Sequence, residues 1–123
     1  MIEKLDGFPD NVVAIAAHGR VTKADYAATI VPAVEKALTA HERVRVFYEL
    51  GPGFAGLDGG AMVEDFMVGM RHIRHWERIA VVTDVAWIAH AVSLFGFLMP
   101  GAVRVFPTTD AARARAWLLA EAA

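Results

Sequence analysis

Ser93 is the one serine in the chain, and a serine becomes a nucleophile only where a base and an orienting group stand beside it. His90 lies three residues earlier, but neither a GxSxG elbow nor an acidic partner accompanies the pair. A hydroxyl bonded back to its own helix is the expected state. Glu49 and Asp84 have better positions for chemistry. Each ends a strand, and two carboxylates meeting at the ligand edge of a sheet can divide acid and base work. The same two positions serve equally well as loop anchors and helix caps. His72 and His75 are spaced i, i+3, near enough to touch one metal ion. No carboxylate on the adjoining turn completes a ligand set and HExxH is absent, so neither a metal nor another cofactor is expected. Arg71, Arg74 and Arg78 could meet phosphates, but a solvated basic helix end complementing its own dipole accounts for them. No catalytic residue is therefore assigned, and an enzyme built on Glu49 and Asp84 is kept as the outside alternative.

Two features point to binding instead. The stretch from Gly51 to Gly60 leaves the carboxyl end of a strand and feeds a helix, where open α/β sheets place ligands. Backbone N–H groups at Gly59 and Gly60 could hold an anion there. The stretch matches neither GxGxxG directly after a strand nor the phosphate loop with its lysine, and a flexible glycine-rich connection explains it as well. Large adaptable side chains also gather on two consecutive helices: Met62, Phe66, Met67 and Met70 on one, Trp87, Leu94, Phe95, Phe97 and Met99 on the next. Thioethers and aromatics repack at little cost around an acyl chain or a ring, although the same side chains can form a core or a dimer seam. A cleft lined by Phe54, Leu57, Met62, Phe66, Met70, Trp87, Ala91, Leu94 and Phe95 is predicted between these helices. Glycines before Asp58, with Gly96 and Gly101, would be its hinges.

The elements that must position these residues follow from patterning. Asn11 to Ala17 is nearly all apolar, as a strand covered on both faces should be. Met1 to Leu5 is a weaker strand, folded antiparallel beside it through the turn at Gly7-Phe8-Pro9-Asp10-Asn11. Val44 to Leu50 alternates, placing Val44, Val46, Tyr48 and Leu50 on one side and Arg45, Phe47 and Glu49 on the other. Ile79 to Val82 and Val103 to Phe106 complete five strands. Thr22-Lys23-Ala24-Asp25 is a capping box that starts a helix, and Pro32 should kink or divide that helix near Val31. Asp58 caps a second helix reaching about Arg74, with Met62, Phe66, Met70 and Ile73 on one face. Val85 to Leu98 is a third. Thr109 to Ala122 is a fourth, capped by Thr109 or Asp110, with Ala112, Ala116, Leu119 and Trp117 turned inward.

The expected fold is α/β. It is a small sandwich with a mixed five-stranded sheet, an N-terminal antiparallel hairpin, an otherwise mostly parallel arrangement and about four helices. The 123 residues include 56% hydrophobic side chains, no cysteine, and 12 basic against 14 acidic groups. A chain of this length can bury about two-thirds of its surface as one domain spanning 1–123. It has neither a disulfide framework nor thiolate-bound zinc. A net charge of −2 offers no field for a phosphate backbone, so nucleic acid is not an expected partner. The N-terminus reads without the apolar stretch of a leader peptide, so a cytoplasmic location is the expectation. From Val85 to Met99 no residue is charged, but the run spans only about 22 Å as a helix, short of a bilayer core. That helix owns more apolar flank than a sheet can cover. Something else should cover the excess: a second copy in a homodimer, a mobile helix, an apolar small molecule or lipid, or a membrane surface touched from the side.

Several segments, each weak alone, fall in a familiar order. They are Pro9-Asp10-Asn11-Val12-Val13; Thr22-Lys23-Ala24-Asp25-Tyr26 with Pro32 following; Arg71-His72 and then Trp76 through Asp84; and Val103-Arg104-Val105-Phe106 followed by Ala112 to Leu118. In this order the chain resembles the SpoIIAA-like bacterial proteins, whose fold is similar to that of STAS domains. The resemblance implies a non-enzymatic regulatory or interaction module, related to anti-sigma-factor antagonists. Through the similar CRAL-TRIO fold it also implies lipid binding and membrane association. Some STAS domains carry a phosphorylatable serine where this chain reads Leu57-Asp58-Gly59-Gly60-Ala61-Met62. With no hydroxyl there, that switch cannot operate. The helix after Asp84 usually carries basic residues in this branch, and here it has none.

Overall fold

Five strands, β1 (Ile2–Lys4), β2 (Val12–Val21), β3 (Val44–Leu57), β4 (Trp76–Thr83) and β5 (Ala102–Phe106), form one sheet in the order in which they occur in the chain. The computed structural model describes residues 1–97 and 101–120, with the side chains at 52, 53, 57, 62, 65, 66 and 95 outside that description. β1 pairs antiparallel with β2, and β2 through β5 run parallel. The helices are α1 (Lys23–Asp25), which runs through a π-helical turn at Tyr26–Ile30 into α2 (Val31–Ala40), then α3 (Gly59–Arg71), α4 (Ala86–Gly96) and α5 (Ala111–Leu119).

Parallel strands laid down side by side in one direction, each joined by a crossover of the usual right hand, put all their connecting helices on the same face. Three connections here are of that kind, so α1 to α4 share a face. Only α5, which follows the last strand, is free to cover the other. Alternation along the strands then divides the apolar residues into two cores. Val13, Ile15, Val44, Leu50 and Val81 pack with Tyr26, Ile30, Val34, Val68 and Ile88 under the first four helices. Val12, Ala14, Phe47, Ala80, Val82 and Phe106 pack with Ala114 and Leu118 under α5.

The capping box forms as the sequence predicts. Asp25 accepts the Thr22 N–H at 2.8 Å, and the Asp25 N–H reaches the Thr22 hydroxyl at 3.3 Å. Pro32 divides the helix through a π turn, in which the Val31 N–H bonds the Tyr26 carbonyl. A wide turn suits the residue that has no N–H to offer. Asp58 caps α3 by accepting the Ala61 N–H at 2.7 Å.

Several sequence expectations need correction. The stretch from Gly51 to Leu57 is strand, not a flexible connection: Phe54, Gly56 and Leu57 pair with Gly19, Arg20 and Val21. Gly19 (φ +60°) and Gly56 (φ +130°) absorb the backbone turns that let this two-stranded ribbon continue. β4 begins at Trp76 rather than Ile79, and α3 ends at Arg71, with a 3₁₀ turn over Ile73–His75 taking the place of its last turn. In α5 the inward residues are Ala114 and Leu118, with Trp117 and Leu119 at the margin, whereas Ala112 and Ala116 are exposed. A 3₁₀ turn at Thr108–Asp110 precedes α5, and neither Thr109 nor Asp110 caps it through a side chain. Gly101, expected as a hinge, is required by close packing. A Cβ there would lie 2.4 Å from the Glu77 carbonyl oxygen and 2.6 Å from that of Trp76, so the chain enters β5 where no side chain fits. Leu98 and Met99 lie outside the described residues.

Candidate functional site

The core under α1 to α4 is not filled. Between the sheet and these helices lies a cavity of about 300 Å³. Its floor is the upward-facing residues of the central strands, among them Val13, Ile15, Val46, Tyr48, Ile79 and Val81. Its walls are Tyr26, Ile30 and Val34 from the π turn and α2, Val68 and Gly69 from α3, and Trp87, Ile88, Ala91 and Val92 from α4. Trp87 and Ala91 of α4 line the space and are at the same time exposed. An apolar space of this size forfeits dispersion contacts along its lining, and an apolar cavity of about half the volume stays dry and accepts a ring molecule.

Two polar features mark the lining. The Tyr26 and Tyr48 hydroxyl oxygens are 3.0 Å apart, a pair set by the first turn after the capping box on one side and the middle of β3 on the other. The Trp76 indole N–H donates to the Gly69 carbonyl at 3.0 Å, which ties the end of α3 to the start of β4.

Of the nine residues predicted to line a cleft, five have described side chains. Trp87 and Ala91 border the cavity. Phe54 packs at the edge of the main core on the β3 extension. Leu94 is 68% exposed and Met70 is 38% exposed. The side chains of Leu57, Met62, Phe66 and Phe95 lie outside the described residues. The space therefore sits between the sheet and the helices more than between α3 and α4. The sheet-borne valines and the tyrosine pair were not foreseen as a site. The alternation of β3 did place Val46 and Tyr48 on one face, the signal from which the floor could have been read.

The apolar excess on α4 is visible. Ile88 is buried and Val92 half-buried, while Trp87, Ala91, Leu94 and the following Phe97 are exposed. Val63, Met67 and Met70 are likewise exposed on α3. At Gly59 and Gly60, the helix start proposed for an anion, the Asp58 carboxylate occupies the Ala61 N–H, and a Cβ on Gly60 would come within 3.2 Å of the Lys23 Cβ. The helix dipole there already faces the protein's own negative charge.

The remaining reactive groups are engaged structurally. Asp84 accepts the Thr108 hydroxyl and, at 2.9 Å, its N–H. These bonds, the hydroxyl first, hold the carboxyl below the usual carboxylate range, which suits an anchor rather than a proton donor. The Ser93 hydroxyl bonds back to the Ala89 carbonyl at 2.9 Å. His75 Nδ1 lies 2.9 Å from the Glu42 carbonyl oxygen. His72 is pushed below the ordinary histidine value, chiefly by burial and then by the positive charges of Arg71 and His75. Among the described residues, no three histidine or acidic side chains gather as a metal site. His75, with Glu42, Arg43, Met70, Arg71, Ile73 and Arg74, borders a separate depression of about 600 Å³.

A family model described as SpoIIAA-like matches residues 12–119. The chain belongs to the SpoIIAA-like family. The match takes in every strand but β1 and every helix, including the whole cavity lining. A crystal structure of an uncharacterized protein of the DUF3478 family with a SpoIIAA-like fold, from Shewanella loihica PV-4, superposes with a TM-score of 0.77 at 22% identity, over 95% of this chain and 93% of that one. That likeness carries the fold. Comparison with functionally curated proteins returns no significant match. Among the described residues of this SpoIIAA-like chain, no helix is long and apolar enough to cross a membrane.

Proposed function

We propose that this SpoIIAA-like domain is a non-enzymatic binding module that takes up an apolar small molecule between its sheet and α4, the occupant entering past Trp87 and Ala91. One observation carries the reading: an apolar cavity of about 300 Å³ inside an otherwise ordinary core, open at a helix that bears no charge. Evolved interiors are close-packed, and a void of this size is a standing cost to stability that occupation would offset. The non-enzymatic part of the reading rests on the engagement of Asp84 and Ser93 in anchoring bonds and on the resemblance to regulatory STAS domains.

Native mass spectrometry of the protein purified from its own host, before and after organic extraction, tests the reading. A co-purifying apolar species that is lost on extraction, and is absent from a Val46→Phe variant with a filled cavity, is the expected result. A bare protein in both samples, together with no uptake of any added apolar compound, contradicts it.

A second reading concerns the outer face. Trp87, Leu94 and Phe97 on and beyond α4, with Val63, Met67 and Met70 on α3, are exposed. Such a surface suits a second copy of the chain or a protein partner bound without phosphorylation. Leu94→Glu is expected to leave the fold intact and to convert a dimer to a monomer in sedimentation equilibrium. A wild-type protein that is monomeric at high concentration removes the homodimer.

A further inference from the structure

We infer that the depression bordered by Arg43, Arg71 and Arg74 binds a phosphate monoester through its three guanidinium groups. It shares no lining residue with the apolar cavity, so the inference stands apart from the function proposed above.

The arginines divide by what holds them. Of the nine in the chain, Arg45, Arg78, Arg113 and Arg115 each donate to a carbonyl or carboxylate oxygen, and Arg104 lies over the Phe106 and Trp117 rings. Arg20, Arg43, Arg71 and Arg74 have no such partner among the described residues. Three of these four border one depression of about 600 Å³. Different elements bring them there: Arg43 comes from the bend before β3, Arg71 ends α3, and Arg74 belongs to the 3₁₀ turn that follows. Arg78, grouped with Arg71 and Arg74 by the sequence, is engaged at α5 instead, and Arg43 takes its place. The α3 dipole accounts for Arg71 in the last turn, but not for the convergence of Arg43 from another element. Like charges brought together without a counter-ion repel, and an anion seated among them relieves that repulsion.

The charge balance sets the class of ligand. One carboxylate, that of Glu42, borders the same depression, and it offsets one guanidinium of the three. A dianion matches what is left, whereas a monocarboxylate matches half of it. The planar fork of a guanidinium meets two oxygens at once, which suits a phosphate group approached from several sides. A phosphate monoester is close to doubly charged above its second pKa of about 6. Met70 and Ile73 complete the border and offer an apolar wall to the organic part of the ester. The depression is of the size of small-molecule sites.

A histidine beside the depression senses its charge. His72 is pushed below the ordinary histidine value by burial first, then by the positive charges of Arg71 and His75, with Glu35 opposing. An anion held by the arginines would add to the opposing side and raise it.

Titration of the full chain with phenyl phosphate and with benzoate, at pH 8 and low salt, followed by the imidazole NMR signals, tests the site. Phenyl phosphate should bind at least about tenfold more tightly than benzoate. It should shift the His72 and His75 signals, leave that of His18 in place, and raise the His72 pKa. An Arg43→Gln/Arg74→Gln variant should lose about tenfold or more in affinity. Arg20→Gln removes an equally unengaged arginine elsewhere and should lose less than about twofold. Equal losses in the two variants, benzoate bound as tightly as phenyl phosphate, or a His18 signal that moves with the other two, overturn the inference. So does the absence of phenyl phosphate binding up to about 10 mM. Should the double variant not fold, the ligand order and the pattern of shifted signals decide. The source of the ester is read by sedimenting the chain with phosphatidylcholine vesicles that contain or lack phosphatidate, a monoester carried on a lipid. Phosphatidate-dependent retention that the double variant loses supports the site and assigns it to a headgroup. Phenyl phosphate binding with no such retention supports it and assigns a soluble ester.

Discussion

The two faces of the sheet are built from the same strands to opposite ends. On the α5 face the core is small and closed. Ala80, Val82, Ala114 and Leu118 have no exposure to solvent, Phe106 and Trp117 rings lie 5.9 Å apart, and two strand arginines reach up to bind the end of the helix. Arg45 donates to the Leu118 and Ala120 carbonyls and pairs with Glu77. Arg78 donates to the Trp117 and Ala120 carbonyls. Carbonyls at a helix C-terminus lack partners within the helix and carry its partial negative charge, so each arginine satisfies a group that would otherwise need water. On the other face four helices and a π turn enclose a larger core that holds a cavity and a tyrosine pair. One face is locked by directed bonds and the other is left with room. A sheet secured from behind can tolerate unfilled space in front.

This contrast can be broken at specific residues. The largest effect is expected at Arg45. Arg45→Ala removes the pair to Glu77 and two carbonyl bonds in a half-buried setting, and should cost about 3 kcal/mol in urea unfolding. A loss below about 0.5 kcal/mol would mean that the α5 face is not held by these bonds.

A matched pair of valines compares the faces directly. Val82 is fully buried under α5 and Val46 borders the cavity. Val82→Ala should cost about 2–3 kcal/mol, because transfer and cavity terms both apply, whereas Val46→Ala, beside space that already exists, should cost about 1 kcal/mol. Equal costs would indicate that the space beside Val46 is filled in solution.

The smallest effect is electrostatic. His72 has its protonation depressed by burial and by Arg71 and His75, with Glu35 opposing. The unfolded chain therefore binds a proton that the folded chain resists. Stability is full above the ordinary histidine value of 6.5 and declines as the pH falls below it. The drop in Tm between pH 8 and pH 5.5 should be smaller in His72→Gln than in the wild type, and an identical drop would remove His72 from the account.

Much of the architecture was legible because it depends on local rules. The capping box at Thr22, the Asp58 cap, the break at Pro32 and the alternation of β3 each act within a few residues. The strand through Gly51 to Leu57 was not legible, because glycine and proline weaken any strand pattern. Its pairing is supplied by Gly19 to Val21, some 35 residues away in sequence. The inward face of α5 was displaced by about two residues because an alanine-rich helix carries little patterning, and because its contacts are chosen by Phe47, Ala80 and Val82 on the sheet. At the site, the uncharged character of α4 identified the helix that borders the cavity. The cavity itself could not be read, since it arises from how far the helices stand from the sheet and not from any residue's own preference.

Diffraction from crystals pressurised with xenon examines the central claim without any assumption about the natural ligand. Xenon enters apolar cavities that are dry and unoccupied. Strong xenon density between Val46, Val81 and Ala91, absent when Val46→Phe fills the space, is the predicted result. A closed interior with no xenon at that position in the wild-type protein, and no other molecule occupying it, would contradict the account.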